Sequence, residues 1–133
     1  MSQANFLAAV GRVMIAVLFI LSGLGKIGAF SATQGYISSV GLPFPLFSYL
    51  LAVAVETVGG TLLLVGYQTR IVSGGIAIFT LATALVFHTD FSDPNQMTHF
   101  LKNFAIAGGL LQIAAFGAGA FSLDGPRSRA AAH

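Results

Sequence analysis

The sequence contains no cysteine and few charged residues, and both absences narrow what the chain can be. Without cysteine, the chain itself offers no disulfide framework, CxxC redox pair, thiolate zinc site or iron–sulfur ligation. Any redox role must therefore use a bound small molecule or a partner protein. Charged residues make up 8% of the 133 residues and hydrophobic residues 56%, whereas a soluble domain is about a quarter charged. A soluble protein of this size could not hide so much apolar surface from water.

Basic residues are also too sparse to indicate a nucleic-acid partner. The formal net charge is +2, and there is no run of Lys or Arg. No nucleophile elbow or phosphate-cradling loop is present, so no catalytic residue is assigned. His88, Asp90, Asp93 and His99 lack the close ligand spacing of metal sites, and no metal is predicted.

Four apolar runs fill most of the chain, at 6–28, 46–66, 71–87 and 100–116. Each is close to the roughly 20 helical residues that cross a hydrocarbon core. They predict an all-α membrane protein with one domain over 1–133, a four-transmembrane-helix bundle and a polar tail over 122–133. The first run is longer than a signal-peptide core and has no basic segment before it, so it is predicted to be a retained helix.

The link between the first two runs has the features of a short helix. Ser31 is a suitable N-cap, and Gly41 is suited to the position just after the C-cap. Tyr36, Ile37 and Val40 share one side at helical spacing. This pattern predicts a short amphipathic helix between helices 1 and 2 that lies in the membrane interface.

Basic residues in short loops predict the orientation. Four crossings place both termini on the same face as Arg70, Arg127 and Arg129. The opposite face carries Lys26 and Lys102, which acidic residues nearby offset. This bias favours both termini in the cytoplasm.

Arg12 and Glu56 are charged residues inside apolar runs, and their presence there needs a physical reason. At 1.5 Å per residue, they lie roughly 10 and 15 Å from the same side of the membrane. Because an isolated charge at such a depth costs about 2.5–3.5 kcal/mol or more, the two are predicted to pair. Gln112 lies at a similar depth and completes a predicted polar layer. The pair either belongs to a pocket for a ligand or proton, or serves packing alone.

Glycine pairs lie one helical turn from the polar layer: Gly59 and Gly60 by Glu56, and Gly108 and Gly109 by Gln112. They are predicted to pack the second and fourth helices closely. A second polar cluster, near the opposite surface, includes Lys26, His88, Lys102 and Asn103. Its lysines either snorkel to the interface or help form a polar mouth for an anion or a quinone head group.

Short sequence motifs, spread in a fixed order along nearly the whole chain, then indicate a family. They are Arg12 with Leu18–Lys26, Gly41–Pro43, Glu56–Gly60 with Leu62–Arg70, Phe87–His88, His99–Asn103 with Gly108–Leu110, and Gly117–Asp124. Together they resemble the DoxX family of small bacterial membrane proteins. One departure is Ala120, which stands where the family commonly has a basic residue before the aromatic.

The resemblance implies a four-helix bundle in the bacterial cytoplasmic (inner) membrane. Family members have been linked to thiosulfate:quinone oxidoreduction and to membrane assemblies that handle oxidative or thiol stress. The leading hypothesis is therefore a component of a membrane redox system that binds quinone or anchors a soluble oxidoreductase partner. The alternatives are a small-molecule carrier or exporter acting as a homo-oligomer, and a structural scaffold. Whether the chain is an enzyme stays open, and the lipid bilayer is its expected surrounding.

Overall fold

The computed structural model describes residues 3–125, which contain helices and no strand. The helices are α1 (Gln3–Gly28), α2 (Phe30–Ser39), α3 (Pro45–Ala54), α4 (Gly60–Val65), α5 (Thr69–Phe87) and α6 (Pro94–Phe116). A π-helical turn, Val55–Gly59, joins α3 and α4 into one continuous helix, Pro45–Val65.

Three helices of the described region are long and apolar enough to cross a membrane: Gln3–Gly28, Pro45–Val65 and Thr69–Phe87. They coincide with the first three apolar runs and confirm the predicted helical membrane class. The 23-residue α6 is long enough, but its first half is too polar to join this group. The fourth crossing therefore stays a prediction.

Helix α6 begins six residues before the predicted fourth run because its N-terminus is capped by a side chain. Asp93 is the N-cap and accepts a hydrogen bond from the Asn95 backbone N–H at 2.9 Å. Pro94 occupies the first helical position, where the missing N–H has no intrahelical partner to lose. The local sequence thus extends the helix into what was predicted to be a loop.

The linker helix predicted between the first two runs forms as α2. It starts at Phe30 rather than after Ser31, with Ala29 as N-cap and no side-chain cap. Gly41 follows the C-cap residue with φ +86°, as predicted. Ile37 is buried, which gives α2 one inward face. Its position in the membrane interface stays a prediction.

Close packing in the bundle centres on α1 and the helix Pro45–Val65. A Cβ atom at Gly60 would lie 2.9 Å from Ile20 Cγ1 and 3.3 Å from the Ala16 carbonyl oxygen. A Cβ atom at Gly23 would lie 2.5 Å from Thr57 Cγ2. Hence both glycines permit an approach that a larger side chain would block.

The predicted packing of the second helix against the fourth through glycine pairs is wrong. Gly60 faces α1, while Gly59 faces Ile76 on α5. On α6, Gly109 faces Ile15 of α1, and Gly108 has open space around it. Helices α5 and α6 instead pack beside each other as an antiparallel pair. The glycines do serve close contacts, but they bring other elements together.

The last residues that the structure describes, around Leu123 and Asp124, fold back onto the turn between α4 and α5. The Leu123 N–H donates to the Val65 carbonyl and the Asp124 N–H to the Gly66 carbonyl, both at 2.9 Å. The Asp124 carboxylate accepts from the Thr69 N–H at 2.7 Å and so stabilises the start of α5.

Residues 122–125 of the predicted polar tail therefore fold back onto the bundle. Residues 126–133, with Arg127 and Arg129 of the orientation argument, lie outside the described part of the chain.

Candidate functional site

A cavity of about 600 Å³ lies between α1, α2, α3, α5 and α6. Apolar side chains such as Leu18, Phe19, Leu51 and Ile106 form much of its wall. Its principal polar lining residues are Ser22, Lys26, Tyr36, Glu56, Thr80, Thr83, His88, His99, Lys102 and Asn103. The cavity thus brings together the four residues of the predicted polar mouth: Lys26, His88, Lys102 and Asn103. Glu56 lines the same cavity.

Lys26 and Glu56 form an ion pair in the cavity wall. Lys26 Nζ lies 2.9 Å from both carboxylate oxygens of Glu56. Ser22 Oγ donates to Glu56 Oε1 at 3.1 Å and accepts from Lys26 Nζ at 3.0 Å. The Glu56 side chain is 8% exposed and that of Lys26 30%. The carboxylate is therefore charge-compensated, while the ammonium still reaches the cavity.

The π-helical turn positions Glu56 toward α1. Such turns widen the helix locally and often occur at functional sites. Gly23 of α1 leaves room for the Glu56 side chain, because a Cβ atom there would lie 3.1 Å from Glu56 Cβ. On the same turn, Thr57 Oγ1 donates to the Val53 carbonyl at 2.6 Å. The close approach of α1 allows one carboxylate to serve both Ser22 and Lys26.

The predicted Arg12–Glu56 pair does not form. The buried Arg12 guanidinium instead donates to three backbone carbonyls at the opposite end of Pro45–Val65. Its partners are Ala118 at 2.6 Å, Phe121 at 2.8 Å and Leu64 at 3.4 Å. Arg12 thus joins the C-terminal segment to α1 and α4, and it does not line the cavity.

The depth estimate failed because α1 extends past the end of its neighbour. Arg12 lies beside Leu64, whereas Gly23 lies beside Glu56. Eleven residues separate Arg12 from Gly23, or roughly 16 Å of helix. Arg12 and Glu56 are therefore at different levels. The predicted polar layer also lacks Gln112, which is exposed on α6 and outside the cavity lining.

His88 and His99 stack at one end of the cavity, with ring centroids 5.2 Å apart. Burial, and then the neighbouring His99, lower the pKa of His88 below its ordinary value of 6.5. The buried His88 Nδ1 has no hydrogen-bond partner within residues 3–125. The end of α5 thus places a neutral imidazole in the cavity wall, with a buried Nδ1 that lacks a partner in the described residues.

Asn103 lies farther along α6 and reaches across to α5. Its Nδ2 donates to Thr83 Oγ1 at 3.3 Å and to the Thr80 carbonyl at 3.4 Å. Lys102, its neighbour, is exposed and also lines the cavity. Amide, hydroxyl and ammonium groups therefore share the wall formed by α5 and α6.

Sequence reasoning missed the hydroxyl side chains of the site. Ser22 lies one turn before Lys26 on α1, and that spacing was a usable signal. Tyr36 of α2 donates to the Phe87 carbonyl at 3.3 Å and stacks on the Phe87 ring at 5.5 Å. This contact places α2 over the cavity, and no feature of the sequence indicates it.

Within residues 3–125, no group of three or more His, Cys, Asp or Glu side chains is arranged to hold a metal ion. The nearby acidic residues of the α5–α6 loop have local partners. Asp90 accepts from the Ser92 backbone, and Asp93 caps α6. The cavity's chemistry is thus that of hydrogen-bond donors, one ion pair and imidazoles.

Comparison with known proteins relates this geometry to a family. The family model described as DoxX matches residues 7–89, which is more than half of the chain. The chain belongs to the DoxX family. Four cavity-lining residues, all on α6, lie outside the matched range, and the other lining residues lie within it.

Two relatives from Escherichia coli (strain K12) cover most of this DoxX chain. "Inner membrane protein YqjF" is 39% identical over 115 residues, which are 86% of this chain and 87% of the relative. "Inner membrane protein YphA" is 35% identical over 121 residues, or 86% of each chain. A shorter match is "Putative oxidoreductase CatD" of Bacillus subtilis (strain 168), 36% identical over 56% of this chain and 54% of the relative. No solved structure matches.

Proposed function

We propose that this DoxX protein binds the head of a lipid-soluble quinone in the cavity and serves as the quinone-binding component of an inner-membrane redox system. The observation that carries the proposal is the ion pair of Lys26 and Glu56 in the wall of an otherwise largely apolar cavity. Intramembrane charges that line a cavity commonly mark a ligand or proton path. The alternative of a pure scaffold gives no reason for a cavity beside the pair.

The size and lining of the cavity suit a ring with carbonyl groups. Its volume of about 600 Å³ falls within the range typical of small-molecule sites. Apolar walls can cover the ring faces, and few polar groups are needed to orient it. Lys26 Nζ carries three N–H bonds, while Ser22 and Glu56 are its side-chain partners. A remaining N–H can donate to a quinone carbonyl oxygen.

Proton transfer would have two candidate groups on the cavity wall. A bound quinone supplies two-electron, two-proton redox chemistry. His88 lines the cavity and can hold a proton, because imidazole is the side chain that titrates most readily near neutral pH. Ser22 Oγ, which donates to Glu56 Oε1, also lines the cavity and can pass a proton. These residues hold or move protons, and neither carries electrons.

Electrons must come from elsewhere, because the chain has no cysteine. A soluble oxidoreductase partner or an adjoining copy of the chain can bring a donor to the membrane. The name of the CatD relative supports a redox setting, and the names of both Escherichia coli relatives support the inner membrane. In the proposed topology, α6 is the fourth crossing, α2 lies at the membrane interface and both termini are cytoplasmic. Accessibility mapping of cysteines introduced into the α5–α6 loop tests this topology.

Filling the cavity should abolish quinone binding. Ala52 lines the cavity, so Ala52→Phe should weaken binding of 2-methyl-1,4-naphthoquinone to the purified protein in uncharged detergent at least tenfold, as measured by calorimetry. Ala54→Phe is the matched control, because Ala54 is exposed on the same helix and outside the lining. Wild-type protein that binds no quinone, or equal affinities for both variants, would refute the proposal.

A further inference from the structure

The charges that line the cavity do not balance. The lining includes two lysines, Lys26 and Lys102, and one carboxylate, Glu56. The charge of Glu56 is compensated by Lys26, whose Nζ lies 2.9 Å from both carboxylate oxygens and donates a hydrogen bond to Oε1. Within the described residues, Lys102 makes no ion pair. The cavity thus carries one cation in excess.

The two aspartates of the α5–α6 loop make no ion pair with Lys102 within the described residues. Their hydrogen bonds are local: Asp90 accepts from the Ser92 backbone N–H at 3.3 Å and Asp93 from the Asn95 N–H at 2.9 Å. Neither aspartate lines the cavity. The lowered pKa of His88 keeps that ring neutral at neutral pH. Lys102 is therefore the lysine of the lining that has no ion-pair partner within the described residues.

We infer that the cavity selects quinones whose head group is anionic, with Lys102 as the residue that determines this specificity. The inference rests on the proposed function and adds the charge state of the ligand to it. A negative oxygen on an apolar ring satisfies both the excess cation and the apolar wall. Charges interact more strongly beside such walls than in water, because the local dielectric constant is lower. A neutral quinone would make no ion pair with the ammonium.

A matched ligand pair tests the inference. 2-Hydroxy-1,4-naphthoquinone is ionised at neutral pH, whereas its methyl ether, 2-methoxy-1,4-naphthoquinone, is neutral and of similar size. The purified full-length protein in uncharged detergent should bind the hydroxy compound at least tenfold more tightly at pH 7.5. Lys102→Gln should remove this preference by weakening binding of the anion at least tenfold more than binding of the ether. Arg70→Gln, which also removes an exposed cation but lies outside the lining, should keep it.

The outcomes separate this inference from the proposed function. If neither compound binds, the proposed quinone function falls, and this inference falls with it. If both bind with equal affinity, or if Lys102→Gln keeps the preference, the inference is overturned while quinone binding stands. Displacement of the hydroxy compound by phosphatidylglycerol but not by phosphatidylcholine would assign the cation to a lipid head group and would also overturn it.

Discussion

Replacing Lys26 by methionine is expected to lower the free energy of unfolding by about 3 kcal/mol, near the lower end of the range for breaking a buried ion pair. The loss arises because Glu56, with an 8% exposed side chain, keeps its position but loses its counter-charge. The 30% exposure of Lys26 keeps the effect from being larger. Unfolding of the purified protein by SDS in mixed micelles measures the change.

The second partner supplies the control for this prediction. Adding Glu56→Gln to Lys26→Met should restore most of the lost stability, because the uncompensated charge is then gone. Lys102→Met should change stability by less than about 0.5 kcal/mol, as expected for an exposed side chain outside any buried network. A double variant no more stable than Lys26→Met would show that the pair is not what stabilises this region.

Replacing Arg12 by glutamine should cost about 2–4 kcal/mol, since hydrogen bonds from a charged donor contribute about 1.5–3 kcal/mol each and glutamine can restore only part of them. The guanidinium serves the carbonyls of Leu64, Ala118 and Phe121 at once. Its loss removes the hydrogen bonds by which α1 holds the C-terminal segment. The same SDS titration measures the change, and faster proteolysis after residue 116 should accompany it.

Arg12→Lys should recover only part of this stability, because an ammonium lacks the planar fork that reaches several acceptors. Arg70→Gln is the matched control, since Arg70 is exposed and should change stability by less than about 0.5 kcal/mol. Quinone binding by Arg12→Gln protein that remains folded should equal that of wild type, because Arg12 is outside the cavity lining. Unchanged stability of Arg12→Gln would contradict the assigned role.

The sequence alone predicted the first three membrane helices because long apolar runs have few structural alternatives. It could not predict which intramembrane charges pair. That depends on how far α1 extends past Val65, which is a property of helix packing. The hydrogen bonds of Arg12 go to the backbone carbonyls of Ala118 and Phe121, and a backbone carbonyl leaves no mark in a sequence.

The candidate site was predicted in part for a related reason. Lys26 and Lys102 end up in one cavity because both lie toward the same end of antiparallel helices, which the apolar runs already implied. The contribution of Ser22 was not predicted, because its one-turn spacing from Lys26 was given no weight among hydroxyl residues that are common in membrane helices. The cover formed by α2 depends on Tyr36 contacting Phe87, a tertiary contact between residues 51 positions apart.

The most direct test of the central claim is to locate a bound quinone by photolabelling. A 3-azido-2-methyl-1,4-naphthoquinone probe, irradiated with the purified protein and mapped by mass spectrometry, should label the cavity wall, as at Tyr36 and Phe87. Excess unlabelled 2-methyl-1,4-naphthoquinone should suppress these labels. Labels confined to outward-facing residues such as Ile78 and Leu85, which are 72% and 60% exposed, would contradict a quinone site in the cavity.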